Sequence, residues 1–161
     1  MRTPAPIPFN EQDHAAMRLA IDASEEALKR GDMPFGATLV APDGKVLMTA
    51  MNNQNTAADC TGHAEMVLVR RAQKELGLEA MRGATVYASG EPCAMCCGAM
   101  FWGGIGRVVY AASTAQIGDA LGGPQLPLRA ADVVQDSAPA VSVEGPLLGT
   151  EAVVVLQRFG A

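Results

Sequence analysis

The 161-residue chain has no surplus of positive charge. Its 12 Lys and Arg stand against 17 Asp and Glu, a formal net charge of −5. Unassisted nucleic-acid binding needs a basic footprint, and the only adjacent basic pairs, Lys29-Arg30 and Arg70-Arg71, do not make one. No apolar run approaches the ~18 residues of a membrane span. Residues 1–10 hold three prolines and no apolar signal-peptide core. The four cysteines, Cys60, Cys93, Cys96 and Cys97, are spaced unlike a secreted disulfide framework. These absences predict a cytoplasmic protein with no membrane partner. Aromatic residues make up only 4%, with a single tryptophan, Trp102. No internal repeat or low-complexity tract is visible. What is present, 49% apolar and 18% charged residues, suffices for one domain over 1–161 with a substantial core. Residues 1–9 read as an extended lead-in.

Two short stretches carry the chemistry: His63-Ala64-Glu65 and Pro92-Cys93-Ala94-Met95-Cys96. A catalytic zinc takes three protein ligands and leaves one position open. His63, Cys93 and Cys96 supply one imidazole and two thiolates. Cys93 and Cys96, three apart at a helix start, lie on one face. Pro92 suits a helix entry. The helix N-terminus favours negative charge and lowers thiol pKa, so both sulfurs are expected as thiolates. His63 and Glu65, two apart, would point to opposite sides of a regular helix. Both reach one pocket only if His63 precedes the first helical turn, which Gly62 permits. Glu65 is then the acid that is not a ligand, placed to move protons. The rival reading is a closed structural zinc site with Cys97 as fourth ligand, but Cys97 points about 100° away from Cys96 on a helix.

Asn10 can cap a helix over 11–30, with Met17, Ala20, Ile21, Ala27 and Leu28 on its buried face and His14 near the surface. Phe35–Val40 and Lys45–Met51 read as a hairpin about Pro42-Asp43-Gly44. The polar loop 52–62 precedes His63 and is expected to wall the pocket. Asn52, with both a donor and an acceptor, is assigned to substrate; Asn53 and Asn55 are read as ordinary loop residues. Helices follow over His63–Leu76 and 93–102, and strands over Ala84–Ser89 and Arg107–Ala112. Residues 113–128, rich in Gly, Pro and small residues, read as a long connection. A short helix (Arg129–Val134), a last strand (Ala140–Val143) and a last helix (Thr150–Phe159) complete the chain. The alternation predicts a sheet with helices on both faces, with ligands beyond the strand ends where helices begin.

On these motifs the chain resembles the zinc-dependent cytidine deaminase superfamily from about Met33 to Val109. The likeness implies a three-layer α/β/α sandwich with a five-stranded mixed sheet, one Zn2+ per chain and a homodimer. Pro34-Phe35-Gly36-Ala37, Asn52-Asn53, the two metal motifs and Gly98-Ala99-Met100-Phe101-Trp102 are most similar to bacterial guanine deaminase. Gly106-Arg107-Val108-Val109 and the tail from Val143 are more like tRNA adenosine deaminases. Thr61-Gly62, Cys60 and Gly90 depart from the usual pattern. The aromatic tail that lids the guanine deaminase pocket has no counterpart here unless Phe159 serves.

The reaction implied is hydrolytic deamination. A zinc-activated water attacks the amine-bearing carbon, Glu65 shuttles protons and ammonia leaves. The Cys93 N–H is expected to steady the developing oxygen charge. Asn52, Phe35 and Trp102 are expected to bind or wall the ring, and Asp119 to accept from a guanine-like N–H edge. The leading substrate is a free nucleobase or nucleoside, with a guanine-like ring preferred. A tRNA adenosine deaminase, a cytosine or cytidine deaminase and a non-catalytic zinc module are the rivals.

Overall fold

A computed structural model describes residues 9–160. The expected lead-in therefore lies, Phe9 aside, outside the described residues. Helix α1 (Glu11–Lys29) starts at a reciprocal capping box: the Asn10 side chain accepts from the Asp13 N–H, and the Asp13 carboxylate accepts from the Asn10 N–H. Strands β1 (Gly36–Val40) and β2 (Val46–Met51) form the predicted hairpin. Helix α2 (Ala64–Leu76) stops at Gly77 (φ 90°), followed by the short helix α3 (Leu78–Met81). Next come β3 (Thr85–Gly90), α4 (Ala94–Trp102) and β4 (Arg107–Ala112). The chain ends with α5 (Thr114–Leu121), α6 (Ala130–Val133), β5 (Ser142–Glu144) and α7 (Gly149–Gln157).

The sheet has five strands in the order β2-β1-β3-β4-β5. β1 runs antiparallel to β2 and β3, while β3, β4 and β5 are parallel. This is the expected mixed sheet. Strands β1, β3 and β4 are buried along almost their whole length, as central strands covered on both faces must be. Successive residues serve opposite cores: Leu39, Val86 and Val108 pack with α2, α4 and α6, whereas Val40, Tyr87 and Val109 pack with α1 and α7. Gly36 is required for the second contact, because a Cβ there would lie 2.1 Å from the Ala20 carbonyl oxygen of α1.

Two predicted elements are corrected. The 113–128 connection contains helix α5. The missed signal is its capping box, in which Ser113 accepts from the Gln116 N–H and the Gln116 side chain accepts from the Ser113 N–H. The last strand begins at Ser142, two residues later than expected, because its register is set by pairing Arg107 with Ser142 and Val109 with Glu144.

The two ends of the sheet differ in character. At one end the Asp13 carboxylate, 8% exposed, accepts from Tyr87 Oη (2.6 Å) and Arg107 Nη1 (2.9 Å). Arg107 Nη2 also reaches Glu144 (2.9 Å). This network ties α1 to three strands. At the other end β3 and β4 finish at Gly90 and Ala112, β2 delivers Asn52, and the chain opens into loops and helix starts.

Candidate active site

His63 and Cys93 occupy equivalent places. Each is the N-cap of its helix, with extended backbone (φ −67°, ψ 150° and φ −75°, ψ 173°), and neither side chain caps the helix. An N-cap side chain normally turns back onto the first N–H groups; these two turn towards each other. His63 Nδ1 lies 3.6 Å from both Cys93 Sγ and Cys96 Sγ, and the two sulfurs are 3.7 Å apart. A tetrahedral zinc, with bonds of ~2.0 Å to nitrogen and ~2.3 Å to sulfur, requires edges of about 3.6 Å (N···S) and about 3.8 Å (S···S). The three residues therefore fit the ion, and one vertex is left for another ligand. They are the one such group among the described residues.

The protonation of the trio follows from this packing. Contact with Cys96 draws the Cys93 thiol down to about 4, and the neighbouring imidazole assists against the cost of burial. Contact with Cys93 and burial push the Cys96 thiol up. The imidazole of His63 is raised, first by its contact with Cys93. Cys93, at the helix start, is thus the sulfur that ionises first. Cys97 is buried and turned away, its Sγ 3.7 Å from the Pro92 carbonyl, and burial pushes it to about 12. The closed site with Cys97 as fourth ligand is not what forms. Cys60 is exposed.

Glu65 sits in the first turn of α2 and is only 5% exposed. Burial raises its pKa, and contacts with Cys96 and His63 oppose this in part. The extended N-cap backbone is what lets His63 and Glu65 share one pocket despite their spacing. The Cys93 N–H makes no hydrogen bond among the described residues, so it is open to an incoming oxygen.

His63, Glu65 and Cys93 line a cavity of about 590 Å³, within the ~300–1,000 Å³ of small-ligand sites. Of the residues assigned to substrate from the sequence, Phe35 and Asn52 line it. Asn52 is 1% exposed, and its amide pairs with Gln54: Oδ1 accepts from the Gln54 N–H (2.9 Å) and Nδ2 donates to Gln54 Oε1 (2.6 Å). Trp102 and Asp119 are not among the lining residues. Trp102 ends α4, 79% exposed and edge-on to Phe101. Asp119 is exposed on α5. Phe159, considered as a lid, does line the cavity.

Sequence reasoning missed several walls. Ile117, Leu121, Leu126 and Leu128 reach the cavity, and no periodicity signalled them because they come from a loop and one short helix; Gln54, from the 52–62 loop expected to wall the pocket, lines it too. Gly90, noted only as a departure, abuts two walls: a Cβ there would lie 2.7 Å from Phe35 Cε1 and 3.0 Å from Ile117 Cδ1. Glu91, just before the Pro92-Cys93 motif and given no role from the sequence, is a hub. Its side chain is 1% exposed and accepts from the Thr114 N–H, the Ala130 N–H and the Arg129 guanidinium. Burial opposes its charge, but these donors win and hold its pKa below the usual carboxylate value.

An α/β/α sheet whose paired helix starts present one imidazole, two thiols and a buried glutamate has the features of a zinc-dependent deaminase. Residues 10–112 match the family model for the cytidine and deoxycytidylate deaminase zinc-binding region, and the chain belongs to that family. It is 33% identical over 161 residues to a probable cytosine deaminase of Schizosaccharomyces pombe, covering 94% of each chain. It is 43% identical over 79 residues to guanine deaminase of Bacillus subtilis, covering 49% of this chain and 50% of that one. Bacterial tRNA-specific adenosine deaminases match at 32–38% identity, so the chain spans nearly all of the first relative and only part of the others. Among solved structures, a guanine deaminase from Nitrosomonas europaea superposes with a TM-score of 0.77 at 20% identity, covering 95% of this chain and 86% of that one. The family, the five-stranded fold and the reaction class agree with the resemblance read from the motifs.

Proposed function

We propose that the chain deaminates a free nucleobase or nucleoside, with a guanine-like ring preferred. The observation that carries this is the charge of the cavity: neither lysine nor arginine is among its lining residues. A nucleotide or RNA phosphate would enter without a counter-charge, whereas a neutral ring needs none. The nearby Arg129 is committed to Glu91.

When bound, zinc would lower the pKa of a water towards ~7 and make it a nucleophile. The chain supplies the remainder. Glu65, buried beside the metal ligands, would take a proton from the attacking water and pass it to a ring nitrogen, then carry a second proton from the added hydroxyl to the departing amine. The sum is amine plus water giving carbonyl plus ammonia. The Cys93 N–H, which makes no hydrogen bond among the described residues, would donate to the developing oxygen charge. Asn52, stiffened by Gln54, presents hydrogen-bonding edges to the ring, and Phe35 and Ile117 flank it. We also infer a homodimer. The exposed Trp102 of α4, and Leu76 at the end of α2, 43% exposed, offer apolar surface for it. Sedimentation at two protein concentrations tests this.

The test of the reaction is ammonia release from guanine, cytosine, adenine, their nucleosides and a tRNA. Glu65→Gln should keep its zinc and lose roughly 10²–10⁴ in rate. Full turnover by this variant would refute the role of Glu65. Turnover of tRNA alone would favour the RNA-editing relatives over our reading.

A further inference from the structure

We infer that Glu91 is a positioning residue that clamps both ends of one pocket wall. The inference rests on the deaminase reading only for its kinetic consequence. The wall is the stretch from Thr114 to Leu128, which contributes Ile117, Leu121, Gln125, Leu126 and Leu128 to the cavity. Its own packing is partial: Ile117, Ala120 and Leu121 lie against the core shared with α1 and α7, and Gln125 donates to the Thr114 carbonyl. No residue of α5 is buried, and Leu126 and Leu128 are each 54% exposed. A segment with so few buried contacts opens at low cost unless its ends are tied.

Both ends are tied to the same carboxylate. Glu91 Oε1 accepts from the Thr114 N–H (2.9 Å), where the wall begins. The same oxygen accepts from Arg129 Nη2 (2.7 Å), and Oε2 accepts from Arg129 Nε (3.1 Å) and the Ala130 N–H (3.1 Å), where the wall has just ended. Arg129 Nη2 also lies 3.2 Å from Tyr110 Oη. Glu91 itself is anchored through its N–H to the Ala112 carbonyl (2.7 Å), and it immediately precedes Pro92 and Cys93. One buried side chain thus sets the distance between the metal-bearing turn and the opposite wall. Charge-assisted hydrogen bonds of this kind are the strong ones. The wall carries neither Glu65 nor a metal ligand, so loosening it is expected to act on substrate binding before chemistry.

The test uses the zinc-loaded full chain and two variants, Glu91→Gln and Arg129→Ala. The second removes a half-exposed side chain, so it remains informative if the first folds poorly. Hydrogen exchange is measured across the chain, together with zinc content and steady-state kinetics on guanine. The expected result is faster exchange confined to 114–130, retained zinc, and KM raised about ten- to a hundredfold with kcat changed much less. Exchange in 114–130 that matches wild type would overturn the clamp. So would loss of zinc in step with activity, which would place Glu91's role in the metal turn. If wild-type protein does not turn over guanine, the proposed substrate falls, while the exchange measurement still decides the clamp.

Discussion

Gly90→Ala tests the pocket through one added methyl group. Gly90 has no positive φ, so alanine fits its backbone, and the reduced freedom of the unfolded chain favours the variant by ~0.4–1 kcal/mol. The new Cβ, however, would stand 2.7 and 2.9 Å from Phe35 Cε1 and Cδ1 and 3.0 Å from Ile117 Cδ1. Carbon atoms pack best at ~3.5–4.0 Å. The Phe35 ring must therefore retreat by roughly 1 Å and Ile117 by somewhat less. Overpacking of this kind costs ~1–3 kcal/mol. Phe35 is half-buried and can yield, so the net expectation is a loss of about 1 kcal/mol. For a chain of this size that is a melting shift of about 2–4 °C downward. The functional effect should be larger and selective, because both displaced side chains line the cavity. The KM for a bicyclic purine should rise more than that for a pyrimidine. Thermal melts and parallel assays on guanine and cytosine measure both effects. A variant that melts with wild type and keeps its purine kinetics would show that Phe35 and Ile117 do not meet at Gly90.

Two further outcomes are expected. Burial works against the Asp13 carboxylate, but bonds from Arg107, Tyr87 and the Asn10 N–H outweigh it and leave its pKa below the ordinary 3.8. A depressed acid stabilises the fold above its unfolded pKa and loses that contribution as pH falls through the folded value. Urea unfolding of Asp13→Asn should therefore show a deficit of about 1–3 kcal/mol at pH 7 that shrinks below pH ~4; a deficit independent of pH would contradict the network. Cys96→Ser should lose zinc and melt lower, since metal binding is coupled to folding, whereas Cys97→Ser should keep the metal. Equal metal loss in both variants, by atomic absorption, would restore the closed four-ligand site.

The sequence by itself marked out the candidate site. His63, Glu65, Cys93 and Cys96 were legible because metal chemistry demands particular residue types at particular spacings, and because a capping position is readable from its neighbours. It also determined the sheet, since hydrophobic alternation and continuous apolar runs report burial directly. The tertiary structure alone decided what surrounds the candidate metal site. Ile117, Leu121 and Leu128 became walls, Trp102 and Asp119 stayed outside the cavity, and Glu91 came to bond Thr114, Arg129 and Ala130. These roles depend on contacts between segments far apart in the chain, such as Glu91 with Arg129 or Gly90 with Phe35, and the local pattern of a sequence carries no record of such distances. The candidate site was therefore written in short motifs, and the shape of its cavity was set by how the loops meet.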